Sequence, residues 1–162
     1  MATTRVPLSV LAAEFPSSAF PALLQVNSRM VLAFDADTAQ TAYWVFPWPQ
    51  GATGTITFYG QYFMASATTG KIDFEAAVEA ITAGDSLDMD ATTSFDTANT
   101  ITAPTVPGTA GYPGEFTCTL TNKDSVAAGD YVRLSLKRDA TDATNDTATG
   151  KCYLTVAELR EA

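Results

Sequence analysis

The sequence has no histidine, few basic residues and no long apolar run, and each absence excludes a class of function. Without histidine, the 162-residue chain lacks the commonest general base and the commonest zinc ligand, so it cannot form a Ser-His-Asp or Cys-His catalytic site. Lysine and arginine number 9 against 18 aspartate and glutamate residues, which gives a net charge of −9. Such a chain has no basic patch for a phosphate backbone and no segment of about 18 apolar residues. We therefore expect neither nucleic acid nor a membrane as a partner, and no cofactor.

Cysteine is also scarce, and its two occurrences predict core packing. Cys118 and Cys152 both fall on the apolar face of a predicted strand. The N-terminus lacks the continuous apolar stretch of a secretory signal. Reduced thiols in the core are therefore expected rather than a disulfide, although the sequence alone leaves their redox state open.

Residues 1–29 differ in pattern from the rest of the chain. Pro7, Pro16 and Pro21 interrupt short apolar groups, which excludes a long helix and disfavours a central strand. We expect an extended N-terminal arm with one short helical turn between Val10 and Glu14, lying on its own domain or on another protein. The apolar residues expected to make that contact are Val6, Leu8, Val10, Leu11, Phe15, Phe20, Leu23 and Leu24.

From residue 30 onward, apolar and polar residues alternate with a period of two, which is typical of β-strands. The clearest example runs from Lys71 to Ala80, where apolar residues alternate with Asp73, Glu75 and Glu79. Further strands are predicted over 30–34, 41–46, 54–64, 97–102, 115–121, 131–137 and 151–159. Residues 30–162 are therefore expected to form one all-β domain, an antiparallel β-sandwich of the jelly-roll type with about eight strands.

Two kinds of surface residue are candidates for binding. Asp139, Asp142 and Asp146 lie in one predicted loop and supply the carboxylates that calcium prefers, although the glycine and glutamate of an EF-hand loop are absent. The alternative is a solvated hairpin loop without an ion. Trp48 and Tyr112 are the candidates for exposed aromatic contacts with a sugar, and Trp48 is alternatively a lid over the end of the sandwich.

Five short segments occur in an order and at a spacing that suggest a family. They are Leu32-Ala-Phe-Asp-Ala-Asp-Thr38, Ala65-Ser-Ala-Thr-Thr-Gly70, Val106-Pro-Gly-Thr-Ala-Gly111, Ala128-Gly-Asp-Tyr-Val-Arg-Leu134 and Val156-Ala-Glu-Leu-Arg160. Together they resemble a family of small jelly-roll virion proteins encoded by tailed bacteriophages. This chain departs from the pattern at Ala157, because the family's ending has valine and glutamate adjacent.

The resemblance implies a structural virion protein without enzymatic activity, and it supplies no catalytic residues. The expected role is a capsid decoration (cement) protein that binds the outside of the phage head as a homotrimer and stabilises it. Its partners would be the major capsid protein and itself, after synthesis in the host cytoplasm. Deleting residues 1–24 would then abolish capsid binding without unfolding the domain. The alternative is a glycan- or host-binding adhesin or fibre-tip module on the same jelly roll, with Trp48, Tyr112 and the acidic loops as its site.

Overall fold

The computed structural model describes residues 3–162, and over these residues the chain forms ten β-strands and no α-helix. A single 3-10 turn covers Val10–Ala12, within the segment where a helical turn is predicted. The strands are β1 (Thr3–Pro7), β2 (Ala22–Val26), β3 (Arg29–Phe34), β4 (Gln40–Pro47), β5 (Ile56–Met64), β6 (Phe74–Ile81), β7 (Asn99–Thr100), β8 (Gly114–Thr119), β9 (Tyr131–Arg138) and β10 (Cys152–Glu161).

The strands form two antiparallel sheets. The larger sheet has six strands in the order β2-β3-β10-β5-β8, and β1 pairs with the far end of β10. The smaller sheet has four strands in the order β4-β9-β6-β7. Over residues 3–162, no helix has the length and apolar composition needed to span a membrane. The predicted all-β antiparallel sandwich is confirmed.

Alternation along the strands places the core between the two sheets. In β9, Val132, Leu134 and Leu136 are fully buried, whereas Arg133 and Lys137 lie on the other face and remain partly exposed. The aromatic rings at the centre meet edge to face, which is the arrangement that their quadrupoles favour. The largest buried apolar side chains are Trp44, Tyr62, Phe34, Phe58, Phe74, Leu32, Ile56, Met64, Ile72, Leu134 and Leu136.

Two glycines in the larger sheet make room for aromatic rings on the neighbouring strand. Gly60 of β5 is paired with Phe116 of β8, and a Cβ at Gly60 would lie 2.3 Å from Cζ of Phe116. The reverse arrangement is found at Gly114, where a Cβ would lie 2.8 Å from Cζ of Tyr62. Each ring thus covers the backbone of the glycine opposite, and the β5–β8 pair packs closely only because both positions lack a side chain.

The described part of residues 1–29 is built into the sandwich and is not a separate arm. β1 pairs with β10 and β2 pairs with β3, so this segment supplies two strands of the six-stranded sheet. Leu8 and Val10, expected as contact residues, instead belong to the protein's own core, and Val6 packs partly buried against it. Trp44 fixes the segment between the two strands by donating from Nε1 to the Ser9 carbonyl at 2.9 Å. The prolines prevent a helix, but they leave enough free N–H groups for edge pairing.

The other expected contact residues of this segment do remain accessible. They expose between 38% and 64% of their surface and comprise Leu11, Phe15, Phe20, Leu23 and Leu24. Phe15 and Phe20 pack against each other, with ring centroids 5.4 Å apart. The N-terminal segment therefore divides into residues that complete the core and residues that present an apolar surface.

Candidate functional site

The outer face of the six-stranded sheet carries a groove that arises from an irregularity in its central strand. β10 has one extra residue between Leu154 and Val156 where it pairs with β5, which is a β-bulge at Thr155. On its other side, β10 pairs with β3 as far as Leu154 and with β1 from Glu158 onward. The sheet is thus left open beside Thr155 and Val156, and a groove of about 670 Å³ forms there.

The β2–β3 hairpin lines one side of this groove. Its two turn residues, Asn27 and Ser28, have φ values of 45° and 63°, as a type I′ turn requires. This tight turn places Arg29 opposite Val26 at the start of β3, and both residues line the groove together with Asn27. The Arg29 guanidinium donates from Nη1 to the Asn27 carbonyl at 3.2 Å, so the turn orients the cation.

Aromatic side chains stand on the opposite side. Phe63 of β5 lines the groove and packs against Tyr153 of β10, with ring centroids 5.1 Å apart and planes inclined at 63°. Gly111 and Pro113 also line it, and Tyr112 between them exposes 62% of its surface. The Gly111 amide donates to the Met64 carbonyl at 3.0 Å, which holds this loop at the end of β5.

The charge at the groove differs from that of the whole chain. No aspartate or glutamate lines it, although the chain carries 18 of them. Within residues 3–162, Arg29 has no carboxylate oxygen within 4.0 Å, whereas the other arginines each form an ion pair. Arg29 therefore offers an unneutralised cation beside an aromatic surface.

The three candidate calcium ligands are engaged with protein groups. Asp146 is buried and binds Arg138, while Asp139 accepts hydrogen bonds from Thr141 and Lys137, which lower the pKa of its carboxyl group. The exposed Asp142 accepts a hydrogen bond from the side chain of Asn145, which lowers its pKa. Nowhere in residues 3–162 do three acidic or cysteine side chains converge as a metal site would need. The loop is closed by the internal ion pair between Arg138 and Asp146.

Trp48 is not the exposed aromatic residue that the sequence suggested. It is only 5% exposed and packs in the core. Its backbone N–H donates to the Asp130 carbonyl at 2.9 Å, and its carbonyl accepts from the Gly129 N–H at 3.0 Å. These bonds draw the Pro-Trp-Pro segment onto the loop before β9, so Trp48 cannot share a surface site with Tyr112.

Comparison with known proteins finds similar structures but no similar sequences. No protein-family model matches the sequence, and no curated protein matches it. Solved structures do match over nearly the whole chain. The fold resembles that of carbohydrate-binding modules.

Several of these matches have TM-scores above 0.5, including three that contain carbohydrate-binding modules. The CBM22-2 xylan-binding domain of Xyn10C from Paenibacillus barcinonensis is 10% identical, with a TM-score of 0.54, covering 100% of this chain and 99% of that domain. A CBM28 module specific for non-crystalline cellulose is 9% identical, with a TM-score of 0.54 and coverage of 93% and 89%. The CBM22-1-GH10 portion of Clostridium thermocellum Xyn10B is 13% identical, with a TM-score of 0.52, and covers 98% of this chain and 28% of that one. At these identities the likeness to carbohydrate-binding modules concerns the jelly-roll fold.

Sequence reasoning identified Tyr112 but missed the residues that accompany it at the groove. Alternation along β5 already places Phe63 on the outward face, where an aromatic residue is a signal for binding. Its neighbour Tyr153 lies ninety positions further along, so the pairing register was needed to bring the two together. Arg29, which directly precedes the strand predicted over 30–34, was not among the candidate site residues.

Proposed function

We propose that this protein is a non-enzymatic glycan-binding module and that the groove beside β10 is its binding site. The observation that carries the proposal is Phe63, which lines an open groove and packs against Tyr153. The exposed Tyr112 lies in sequence between Gly111 and Pro113, which also line the groove. Sugar rings have apolar C–H faces, which pack on aromatic rings, and hydroxyl groups at their edges, which need polar partners.

The opposite side of the groove supplies such partners. Asn27 contributes an amide that both donates and accepts, and Arg29 contributes several N–H donors. Thr155 donates its hydroxyl hydrogen to the Gln61 carbonyl at 3.1 Å, which leaves its oxygen free to accept. An aromatic surface facing convergent polar groups suits a ligand with one apolar face and a polar rim.

The shared fold supports this choice over other binding functions. A xylan-binding domain and a cellulose-specific module have the same architecture over almost the entire chain. Fold alone does not determine function, so the groove residues remain the basis of the proposal.

The test is binding to soluble polysaccharides, measured by affinity electrophoresis and isothermal titration calorimetry with xylan, mannan, cellooligosaccharides and polygalacturonate. We expect Phe63→Ala to weaken binding at least tenfold, because the ring provides most of the apolar contact. Phe15→Ala is the matched control, since Phe15 is an exposed aromatic residue outside the groove. Melting temperatures of both variants establish that they fold. Failure of the unaltered protein to bind any of these glycans would contradict the proposal.

The exposed apolar residues of the N-terminal segment favour a second candidate function. Leu11, Phe15 and Phe20 expose 64%, 38% and 43% of their surfaces, which is unfavourable unless another surface covers them. We propose that they contact the shell protein of a phage head, in keeping with the resemblance to small jelly-roll virion proteins. The protein would then decorate the outer capsid surface as a homotrimer.

This second candidate needs point substitutions, because deleting residues 1–24 removes β1 together with the buried Leu8 and Val10. The triple variant Leu11→Ser, Phe15→Ser, Phe20→Ser is expected to lose co-sedimentation with empty heads assembled from the shell protein of the same genome. Met89→Ser is the control, since Met89 is 55% exposed in a different loop. Unchanged co-sedimentation of the triple variant would contradict the contact, and light scattering of the free protein tests the trimer.

A further inference from the structure

The groove carries a positive charge, which limits the class of glycan that it would bind. We propose that it selects glycans carrying carboxylate groups, that is, polymers containing uronic acid, and that Arg29 binds the carboxylate. This inference rests on the proposed glycan-binding function and adds to it the chemical class of the ligand.

The sign of the charge at the groove favours an anionic ligand. The chain has a net charge of −9, so most of its surface repels an anionic polymer. The groove is lined by one arginine and by no acidic residue. An acidic glycan is therefore attracted to this part of the surface and repelled from most of the remainder.

Arg29 has N–H donors that are free to bind a carboxylate. Arg5, Arg133, Arg138 and Arg160 are each ion-paired within the chain, so their guanidinium groups are already neutralised. Arg29 makes one hydrogen bond, from Nη1 to the Asn27 carbonyl, and its side chain is exposed. A guanidinium group has five N–H donors in a planar fork, and a carboxylate can accept two of them at once.

A tight turn also holds the Arg29 guanidinium in place. The two-residue turn at Asn27 and Ser28 fixes the start of β3, and the bond to the Asn27 carbonyl orients the guanidinium further. Less conformational freedom is then lost when a ligand binds. Phe63, on the other side, would pack against the ring of the same or an adjacent sugar.

The experiment compares two polymers with the same sugar backbone, of which one carries free carboxylates and the other carries neutral methyl esters. Binding is measured by calorimetry with polygalacturonate and with its fully methyl-esterified form, in which each carboxylate is neutral. We expect the unaltered protein to bind the acid form at least tenfold more tightly, because a hydrogen bond to a charged group is worth about a factor of ten or more. Added salt should reduce binding of the acid form and leave the ester form nearly unchanged.

Three variants test the assignment to Arg29. Arg29→Gln removes the charge and should abolish the preference for the acid form, because it should weaken binding of the acid form far more than binding of the ester form. Arg29→Lys keeps the charge but not the planar fork, and should retain only part of the preference. Lys123→Gln is the matched control, because Lys123 lies beyond the opposite end of β8 and forms no ion pair in the described structure.

The alternative outcomes separate this inference from the proposed function. Equal binding of both polymers, unaffected by Arg29→Gln, would overturn carboxylate selection and leave glycan binding intact. Tighter binding of dextran sulfate than of polygalacturonate would overturn the assignment to carboxylates. Absence of binding to every neutral and acidic glycan would overturn both proposals together.

Discussion

Arg138 and Asp146 face each other inside the sandwich, joined by two hydrogen bonds of 2.8 Å each. Two further guanidinium N–H groups donate, from Nη2 to the Ala148 carbonyl and from Nη1 to the Gly150 carbonyl, each at 3.0 Å, and Asp146 also accepts from the Asp73 N–H. Both charged side chains are almost completely inaccessible to water. This pair closes the loop between β9 and β10 by fastening it to the end of β9.

Removing the carboxylate of Asp146 should destabilise the protein strongly. In Asp146→Ala the Arg138 guanidinium stays buried without its counter-charge, so we expect the free energy of unfolding to fall by about 3–5 kcal/mol. Urea unfolding followed by fluorescence measures the change. Asp142→Ala is the control, because Asp142 is exposed in the same loop and its loss should change stability far less. Equal effects of the two substitutions would contradict the role of the buried pair.

The close contact between Gly60 and Phe116 predicts intolerance of a single methyl group. Gly60→Ala should lower the free energy of unfolding by about 1–3 kcal/mol, because the added Cβ overlaps the ring. Gly108→Ala should have little effect, since nothing lies within 4 Å of a Cβ there. Combining Gly60→Ala with Phe116→Leu should recover part of the loss. Thermal melting of the three variants decides whether the ring is the obstacle.

Stability should decline in acid because of the carboxylates that connect β1 to β10. The Gly54 N–H and the Arg5 guanidinium lower the pKa of Glu161, and the Thr4 hydroxyl lowers that of Glu158. A carboxyl group with a lower pKa in the folded state adds stability above its unfolded pKa of about 4.3 and loses it as the pH falls through the folded value.

The measurement is the urea midpoint between pH 7 and pH 3. The double variant Glu158→Gln, Glu161→Gln should be less stable at pH 7 and should show a smaller decline below about pH 5 than the unaltered protein. Hydrogen exchange at pH 4 should show β1 opening before the rest of the six-stranded sheet. Parallel pH profiles for the two proteins would contradict this account.

The two cysteines should be unreactive in the native protein. Burial raises the pKa of Cys118 to about 11 and raises that of Cys152 further, so neither forms the reactive thiolate near neutral pH. A thiol-specific reagent at pH 8 is expected to label neither residue until the chain is unfolded, when both react. Rapid labelling of the folded protein would show that one thiol is accessible, and failure of the unfolded protein to react would indicate a disulfide.

The local sequence pattern was sufficient to predict where the strands lie, but not which strands and side chains they contact. Alternation predicted β5, β6 and β9 well, because each strand has one buried face. The same alternation, extended one residue beyond the strand predicted over 131–137, places Arg138 on the inward side after Leu134 and Leu136, which is a signal that a buried counter-charge is needed. The calcium hypothesis overlooked that signal, because it considered the carboxylates without their nearest cation.

The errors concern contacts between distant parts of the chain. Prolines around Trp48 suggested exposure, but the hydrogen bonds that bury it come from residues some eighty positions later. The N-terminal segment was expected to be an extended arm on its own domain or on another protein. Its strand pairing was not predicted, because β10, the partner of β1, lies at the opposite end of the sequence. Prediction of the groove would have required the register of β10 against both β5 and β3, and no local sequence pattern contains that information.

The central position of β10 has a consequence for synthesis on the ribosome. The four-stranded sheet is complete once residue 138 has emerged, but β1, β3 and β5 share a partner only after residues 152–161 follow. Until then the nascent chain holds three strands with unpaired edges and an apolar sheet face without its cover. Folding of the larger sheet is therefore a late event that follows translation of β10, and the partly made chain is the form that most needs a chaperone.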